Sequence, residues 1–217
     1  MPSLQIPEYG KHIVFLGATG SGKSVMAERM LDKYENYFAI DTQDALSIEG
    51  KKLNKPEGLG IFLKLYNRIK YVPKMEYINS TAFNYLFKIL INSSMKNKKK
   101  SKVIYIDEIY HLGYGASFPS WLPRSITTAR QKGISFWISA QRPRNIPTPV
   151  LSEASKIYVF YLNKEEDIDF ISGFARTDKA NFKKELINQK DDFSFFEIDA
   201  RKGTWKKFPK IKIKKGD

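Results

Sequence analysis

The sequence predicts one α/β domain in which a mainly parallel β-sheet is flanked by helices on both faces. Two observations lead to this prediction, and a third excludes a domain stabilised by disulfides or by thiolate-bound metal. Short runs of β-branched and aromatic residues alternate with stretches of helical periodicity. The 217 residues, 42% of them hydrophobic, match the size and core content of a single domain. The chain contains no cysteine, which excludes disulfides and thiolate metal sites.

Five apolar runs predict the strands of one sheet: His12–Leu16, Tyr37–Asp41, Val103–Asp107, Ile134–Ala140 and Ile157–Leu162. Helical patterns occur at Lys23–Tyr34, Ser80–Asn92 (with Ser80 as N-cap), Ser120–Lys132, Thr148–Ser155, Glu165–Ala175 and Lys179–Asn188. Two alternating segments near the end, Phe193–Asp199 and Thr204–Ile213, predict a β-hairpin or an extended basic tail. Within residues 43–79 we expect a loop at 50–60 and a weak helix at Ile61–Ile69.

Basic residues are concentrated in two short segments. The chain has 37 Lys and Arg against 23 Asp and Glu, a formal net charge of +14. Residues 96–102 and 201–217 carry most of this excess. A patchy basic surface attracts polyanions such as nucleic acid. Lysine-rich segments are also found as solvated loops and as protection for edge strands, so charge alone leaves both interpretations open.

The residues between the first strand and the first helix fit the phosphate-binding pattern G-x4-G-K-S in full. Glycines allow the backbone N–H groups to point inward around a phosphate, next to the N-terminus of the helix. Lys23 can then reach the β- and γ-phosphates, and the Ser24 hydroxyl can bind Mg²⁺. The predicted nucleotide-binding residues are Gly17, Ala18, Thr19, Gly20, Ser21, Gly22, Lys23, Ser24 and Val25.

Two carboxylates end the strand that begins at Val103. Parallel sheets bind ligands at the carboxyl ends of their strands, so Asp107 and Glu108 are expected beside the phosphate loop. Asp107 is the predicted metal partner of Ser24. Glu108 is the predicted catalytic base that polarises the water attacking the γ-phosphate. An acidic pair here indicates a hydrolase.

Three segments together, GATGSGKS, VIYIDE and TTARQKGISFWISAQRPRNIP, resemble the FtsK/HerA branch of the additional-strand P-loop ATPases. The resemblance covers about residues 10–176 and implies a RecA-like fold that hydrolyses ATP with Mg²⁺. It also implies that Gln141 senses the γ-phosphate and that Arg130 is an arginine finger acting on a neighbouring subunit. Judged from the residues alone, Gln141 could simply cap a strand and Arg130 could be a surface residue. Arg124, Arg142 and Arg144 are the other candidates for the finger. Asp41 resembles an acid of the family whose role we leave open.

Only about ten residues precede the first strand, so the chain is similar to the minimal genome-packaging ATPases of tailless icosahedral viruses, including those with an internal membrane. We therefore expect a single motor domain over 1–217, with a core at about 10–176 and a basic extension at about 190–217. The resemblance implies sequence-independent translocation of double-stranded DNA into a preformed capsid by a ring, a hexamer or pentamer. It implies a capsid vertex or portal partner, no integral membrane segment, and a location in the host cytoplasm or the virion.

Two other functions compete with packaging. The first is a DNA motor of a plasmid or conjugative element, and the second is a small-molecule phosphotransferase with a basic substrate lid. For a DNA motor, the candidate contact segments are residues 96–102, 111–118 and 201–215.

Overall fold

The computed structural model describes residues 7–96, 102–113, 118–189 and 192–210. They form a nine-stranded sheet in the order β3-β4-β2-β5-β6-β1-β7-β8-β9. Neighbouring strands from β3 to β7 in this order are parallel, whereas β8 and β9 are antiparallel additions. The strands are β1 His12–Leu16, β2 Tyr37–Asp41, β3 Lys51–Leu53, β4 Arg68–Tyr71, β5 Lys102–Asp107, β6 Ile134–Ala140, β7 Ala154–Val159, β8 Phe195–Asp199 and β9 Thr204–Phe208. The predicted parallel sheet and C-terminal hairpin are confirmed.

In the described part of the chain, seven α-helices lie between these strands: α1 Lys23–Leu31, α2 Leu59–Leu65, α3 Ser80–Lys96, α4 Trp121–Ala129, α5 Thr148–Ser152, α6 Glu165–Ser172 and α7 Lys179–Ile187. Short 3₁₀ turns occur at Met75–Tyr77, Ile109–Leu112, Arg130–Lys132 and Pro143–Asn145. Within the described ranges, none of these helices combines the length and apolarity needed to cross a bilayer.

Each face of the sheet carries its own hydrophobic core. On β1, Ile13 and Phe15 point to the face covered by α1, whereas Val14 and Leu16 point to the face covered by α3 and α4. All five residues of β1 are buried. This explains why residues 13–16 are continuously apolar instead of alternating, as is usual for parallel strands covered on both faces.

The assignment of residues 50–69 was wrong in two places. The segment expected to be a loop contains β3, and the helix expected at Ile61–Ile69 ends at Leu65. Arg68–Tyr71 is instead strand β4, which pairs with β2. In β4 two cations alternate with Ile69 and Tyr71, whose side chains are buried in the core. This twofold period is typical of a strand and not of a helix.

Several boundaries also differ from those predicted. Strand β7 is Ala154–Val159 instead of Ile157–Leu162, and α5 ends at Ser152. Pairing with β1 begins at Ala154, so the chain is already extended there. Asn79, not Ser80, caps α3, since its Oδ1 accepts a hydrogen bond from the Ala82 N–H at 2.9 Å. Strand β9 ends at Phe208, and residues 211–213 of the predicted strand lie outside the described residues.

Candidate nucleotide-binding site

The phosphate loop lies at the carboxyl end of β1 and leads into α1. Gly20 and Gly22 have φ of 80° and 102°, in the left-handed region that glycine adopts most readily. A β-carbon at Gly17 would lie 2.6 Å from Cβ of Phe160, so the packing there admits only glycine. The Ala18 N–H anchors the loop by donating to the Tyr161 carbonyl at 2.8 Å. The loop is therefore held in a fixed, compact form.

The N-terminus of α1 supplies further donors to this loop. Because α1 begins at Lys23, the N–H groups of Lys23, Ser24 and Val25 belong to the first turn, where a helix provides no acceptor. Lys23 is buried, and its Nζ donates to the Ala18 carbonyl at 3.0 Å. Burial lowers the pKa of Lys23, while the charges of Glu108 and Asp107 act in the opposite direction. Backbone donors and a cation thus converge on one loop, as an anion site requires.

Ser24 and Asp107 come together beside the loop, as predicted. The Ser24 hydroxyl donates to Oδ1 of Asp107 at 3.1 Å. The Tyr105 hydroxyl donates to the same oxygen at 2.7 Å. A hydroxyl and a carboxylate are the hard oxygen ligands that Mg²⁺ prefers, and magnesium usually keeps several waters in addition. The residues present therefore fit a magnesium ion.

Glu108 and Gln141 also meet, at the ends of neighbouring strands β5 and β6. Oε1 of Glu108 accepts a hydrogen bond from the Gln141 N–H at 3.1 Å. Glu108 has a left-handed φ of 54° and is 7% exposed. Burial raises its pKa, against the opposing effects of the Gln141 N–H and the charge of Lys23. A small cavity of about 180 Å³ is lined by Glu108 and Gln141 together with Ile109, Tyr110, Ala140, Arg142 and Asn145.

Arg130 lies at the far end of the sheet from this loop. Its carbonyl approaches Gly10, which precedes β1. Burial lowers the pKa of His12 at the start of β1, and the charge of Arg130 acts in the same direction. Since the phosphate loop follows the other end of β1, Arg130 cannot reach a nucleotide bound in its own subunit. It is exposed to solvent. Arg124 is also exposed and lies over the Trp121 ring, 4.9 Å from its centroid.

Arg142 and Arg144 follow the carboxyl end of β6 and pair with acidic residues of helix α6. Arg142 Nε donates to the buried carboxylate of Asp167 at 3.0 Å, and its Nη2 is 3.7 Å from Glu166. Arg144 Nη1 is 3.5 Å from Glu166. The contact with buried Asp167 holds the Arg142 guanidinium within its own subunit, whereas Arg144 and Glu166 form an exposed pair.

Asp41 has a structural role that the sequence left open. Its carboxylate accepts hydrogen bonds from the backbone N–H groups that follow it, those of Gln43, Ala45 and Leu46. It also pairs with Lys70 at 3.2 Å and is fully buried. Asp41 therefore shapes the loop after β2, next to Asp107 on the neighbouring strand.

The candidate DNA-contact segments are described only in part. Residues 97–101, 114–117 and 211–215 lie outside the described residues. In the C-terminal hairpin, Trp205 packs on Phe182 and Phe196, and Phe208 stacks on Phe195 at 5.1 Å. These aromatic residues therefore fill the edge of the core. Lys207 pairs with Glu185 at 2.8 Å.

Sequence reasoning missed Tyr105, because a tyrosine within an apolar strand is most simply interpreted as a core residue. The twofold period of a strand does provide a signal. Side chains two positions apart point to the same face, so Tyr105 and Asp107 were bound to be neighbours.

The glycine-rich loop on a mainly parallel nine-stranded sheet gives this chain the fold of the P-loop ATPases. No protein-family model and no curated protein matches the sequence. Solved structures do match. The genome-packaging NTPase B204 of Sulfolobus turreted icosahedral virus 2, in complex with AMPPCP, superimposes with a TM-score of 0.74 at 19% identity. The match covers 96% of this chain and 100% of B204.

Two further structures are similar to this chain. B204, the DNA-packaging ATPase from Sulfolobus turreted icosahedral virus, matches with a TM-score of 0.74, 19% identity and coverage of 95% of this chain and 100% of that one. VirB4 of Thermoanaerobacter pseudethanolicus has a TM-score of 0.68 at 10% identity, covering 94% of this chain and 90% of that one. At these identities the likeness establishes the fold.

Proposed function

We propose that this protein is an ATPase that uses hydrolysis to translocate double-stranded DNA, in the packaging of a viral genome into a preformed capsid. The proposal rests on two contacts that lie side by side at the carboxyl ends of the central strands. Ser24 lies 3.1 Å from Asp107, and Glu108 is fixed by the Gln141 N–H at 3.1 Å. This arrangement provides a metal position and a base on the same side of a phosphate loop.

Each residue has a distinct task in the proposed hydrolysis. The loop N–H groups and Lys23 bind the β- and γ-phosphates and neutralise their charge. When bound at Ser24 and Asp107, Mg²⁺ supplies further neutralisation of the charge that develops during phosphoryl transfer. Glu108 orients the attacking water and accepts the proton of that water. The Glu108 carboxylate is buried near Gln141, which shields it from bulk solvent. The Gln141 N–H holds the base in place, and in this proposal the Gln141 side chain senses the γ-phosphate.

The net charge supports duplex DNA as the polymer. The full-length similarity to B204 supports packaging as the process. A subunit with net charge +14 can hold phosphates without reading sequence. The chain also matches B204 over nearly the full length of both proteins, and B204 is described as a DNA-packaging ATPase. In this proposal the protein acts in the host cytoplasm or on the virion, at a capsid vertex or portal.

The position of Arg130 supports action as a ring. Because Arg130 lies at the opposite end of the sheet from its own phosphate loop, it can complete only the site of a neighbouring copy. In this proposal the repeated head-to-tail contact closes into a ring, a hexamer or pentamer. An isolated subunit should then be a poor ATPase.

A conjugative or plasmid DNA motor is the second candidate. The observation that favours it is the likeness to the pCW3 conjugation coupling protein TcpA, which has a TM-score of 0.51 at 16% identity and covers 87% of this chain and 57% of that one. Both candidates predict the same chemistry at the nucleotide and differ in the partner of the ring.

The test is steady-state ATPase activity against protein concentration, with and without duplex DNA, using Lys23→Ala as the inactive control. We expect specific activity to rise with concentration and duplex DNA to stimulate it. Displacement of a triplex-forming oligonucleotide from the duplex then reports translocation directly. Turnover that is independent of concentration and DNA but requires a small-molecule acceptor would instead show a phosphotransferase.

A further inference from the structure

An exposed aromatic side chain lies against the phosphate loop on the side away from the metal position. Phe193, in the connection between α7 and β8, is 50% exposed. A β-carbon at Gly22 would lie 3.4 Å from Cδ1 of Phe193, so the ring is next to the loop backbone. Two positions later, Phe195 is buried and stacks on Phe160 at 5.4 Å. The exposed ring thus continues a buried aromatic cluster to the edge of the loop.

The two sides of the loop have different chemistry. Strand β1 lies between β6 and β7. On the β6 and β5 side are Gln141, Glu108 and Asp107, where the γ-phosphate and its metal would be held. On the β7 side, the Ala18 N–H is bonded to the Tyr161 carbonyl, and Gly22 faces Phe160 and Phe193. A triphosphate with its γ end toward β5 therefore directs the remainder of the nucleotide toward β7 and β8.

The backbone at Phe193 is held in an uncommon conformation. Its φ of 63° is in the left-handed region, which bulky residues rarely occupy without a constraint from their surroundings. The constraint is visible on both sides of the residue. The Ser194 N–H donates to Oδ1 of Asp192 at 3.0 Å, and Nε2 of Gln189 donates to the Ser194 carbonyl at 2.9 Å. These bonds keep a hydrophobic ring exposed where burial would otherwise be favoured.

We infer that Phe193 stacks on the base of the bound nucleotide, so that the ligand is a nucleoside triphosphate and not a triphosphate group alone. This inference rests on the nucleotide binding of the proposed function. A flat, half-exposed ring offers the surface on which bases stack in many nucleic-acid-binding proteins. Val25, in the first turn of α1 and 38% exposed, adds apolar surface beside the same loop.

The experiment compares binding of ATP and of inorganic tripolyphosphate, both with Mg²⁺, by titration calorimetry. Phe193→Gly removes the ring and suits the left-handed backbone, so the fold is retained. We expect this variant to bind ATP about tenfold more weakly and tripolyphosphate as well as the parent does. Phe193→Tyr keeps the ring and should bind ATP as the parent does. Tyr85→Ala is the matched control, because Tyr85 is 48% exposed on α3, which covers the other face of the sheet.

Two outcomes would overturn the inference and leave the proposed function standing. One is that Phe193→Gly binds ATP with parental affinity. The other is that it loses ATP and tripolyphosphate equally, which would mean that the loop itself had been disturbed. If the parent protein bound neither compound, the proposed function would fail together with the inference. The parent measurement therefore separates the two failures.

Discussion

The Tyr105 hydroxyl and the Ser24 hydroxyl donate to the same oxygen, Oδ1 of Asp107, at 2.7 and 3.1 Å. Tyr105 is fully buried, so its bond restrains the carboxylate from the side facing the core. Ser24 approaches from the phosphate loop. The orientation of Asp107 is thus set by a residue that cannot touch the nucleotide.

Replacing Tyr105 by Phe should weaken the binding of Mg²⁺ at Asp107. Without the hydroxyl, Asp107 keeps only the hydrogen bond from Ser24 and is less restrained, and positioning groups around a metal site typically affect affinity by about 10-fold or more. We expect the Mg²⁺ concentration for half-maximal ATPase activity to rise about tenfold, with ATP binding in EDTA unchanged. Tyr71→Phe makes the same change on a buried residue of β4 and should leave both measurements unaltered. An unchanged magnesium requirement in Tyr105→Phe would refute the positioning role.

Glu108→Gln should separate binding from hydrolysis. The amide oxygen can still accept the Gln141 N–H, so the local geometry is retained while the proton acceptor is lost. We expect turnover to fall by at least about a hundredfold, with ATP affinity within a few fold of the parent. Lys23→Ala should instead weaken ATP binding itself, measured by calorimetry. Hydrolysis by Glu108→Gln at the parental rate would show that Glu108 is not the base.

Mixing two inactive variants should restore activity if Arg130 acts across subunits. Arg130→Ala retains Glu108, and Glu108→Gln retains Arg130, so some contacts in a mixed ring contain one intact copy of each. We expect each variant alone to be inactive and the mixture to regain part of the parental ATPase activity. Arg124→Ala provides the control from the same helical region and should remain active. Failure of the mixture to recover would argue against a shared site.

Asp41→Ala should affect folding more than chemistry. Three backbone N–H groups and Lys70 would lose their buried acceptor, at a cost of about 3 kcal/mol in the free energy of unfolding. Asp44→Asn removes the charge of an exposed carboxylate that also pairs with Lys70, and asparagine suits the left-handed φ of 55° there, so this variant should lose much less stability. Urea denaturation of both variants measures the difference. Equal stability of the two variants, with loss of ATPase activity only in Asp41→Ala, would assign Asp41 to catalysis.

The strands that the sequence predicted well are those buried on both faces, such as β1 and β6, where a continuous apolar run has few other interpretations. The strands that it missed lie at one edge of the sheet. Lys51–Leu53 has three residues, two of them exposed, and Arg68–Tyr71 alternates cations with core residues. Neither segment has enough apolar content to be recognised, and both depend on pairing with β2 and with each other.

The candidate site shows a similar division. The phosphate loop, Asp107 and Glu108 follow from local pattern, because strand, loop and helix are contiguous around them. The bond between Glu108 and the Gln141 N–H joins segments more than thirty residues apart, and the backbone of Phe193 depends on contacts from Asp192 and Gln189. Such features arise from tertiary packing, which periodicity does not encode.

The central place of β1 in the sheet has a consequence during synthesis. Its partners are β6 and β7, so Ile13 cannot pair until Trp137 and Lys156 have emerged from the ribosome. Until then an apolar segment without a neighbour is present in the nascent chain, where it can associate wrongly or recruit a chaperone. Contacts of such long sequence separation also make folding slow. The loop that follows β1 can therefore acquire its final form only after about three quarters of the polypeptide has been made.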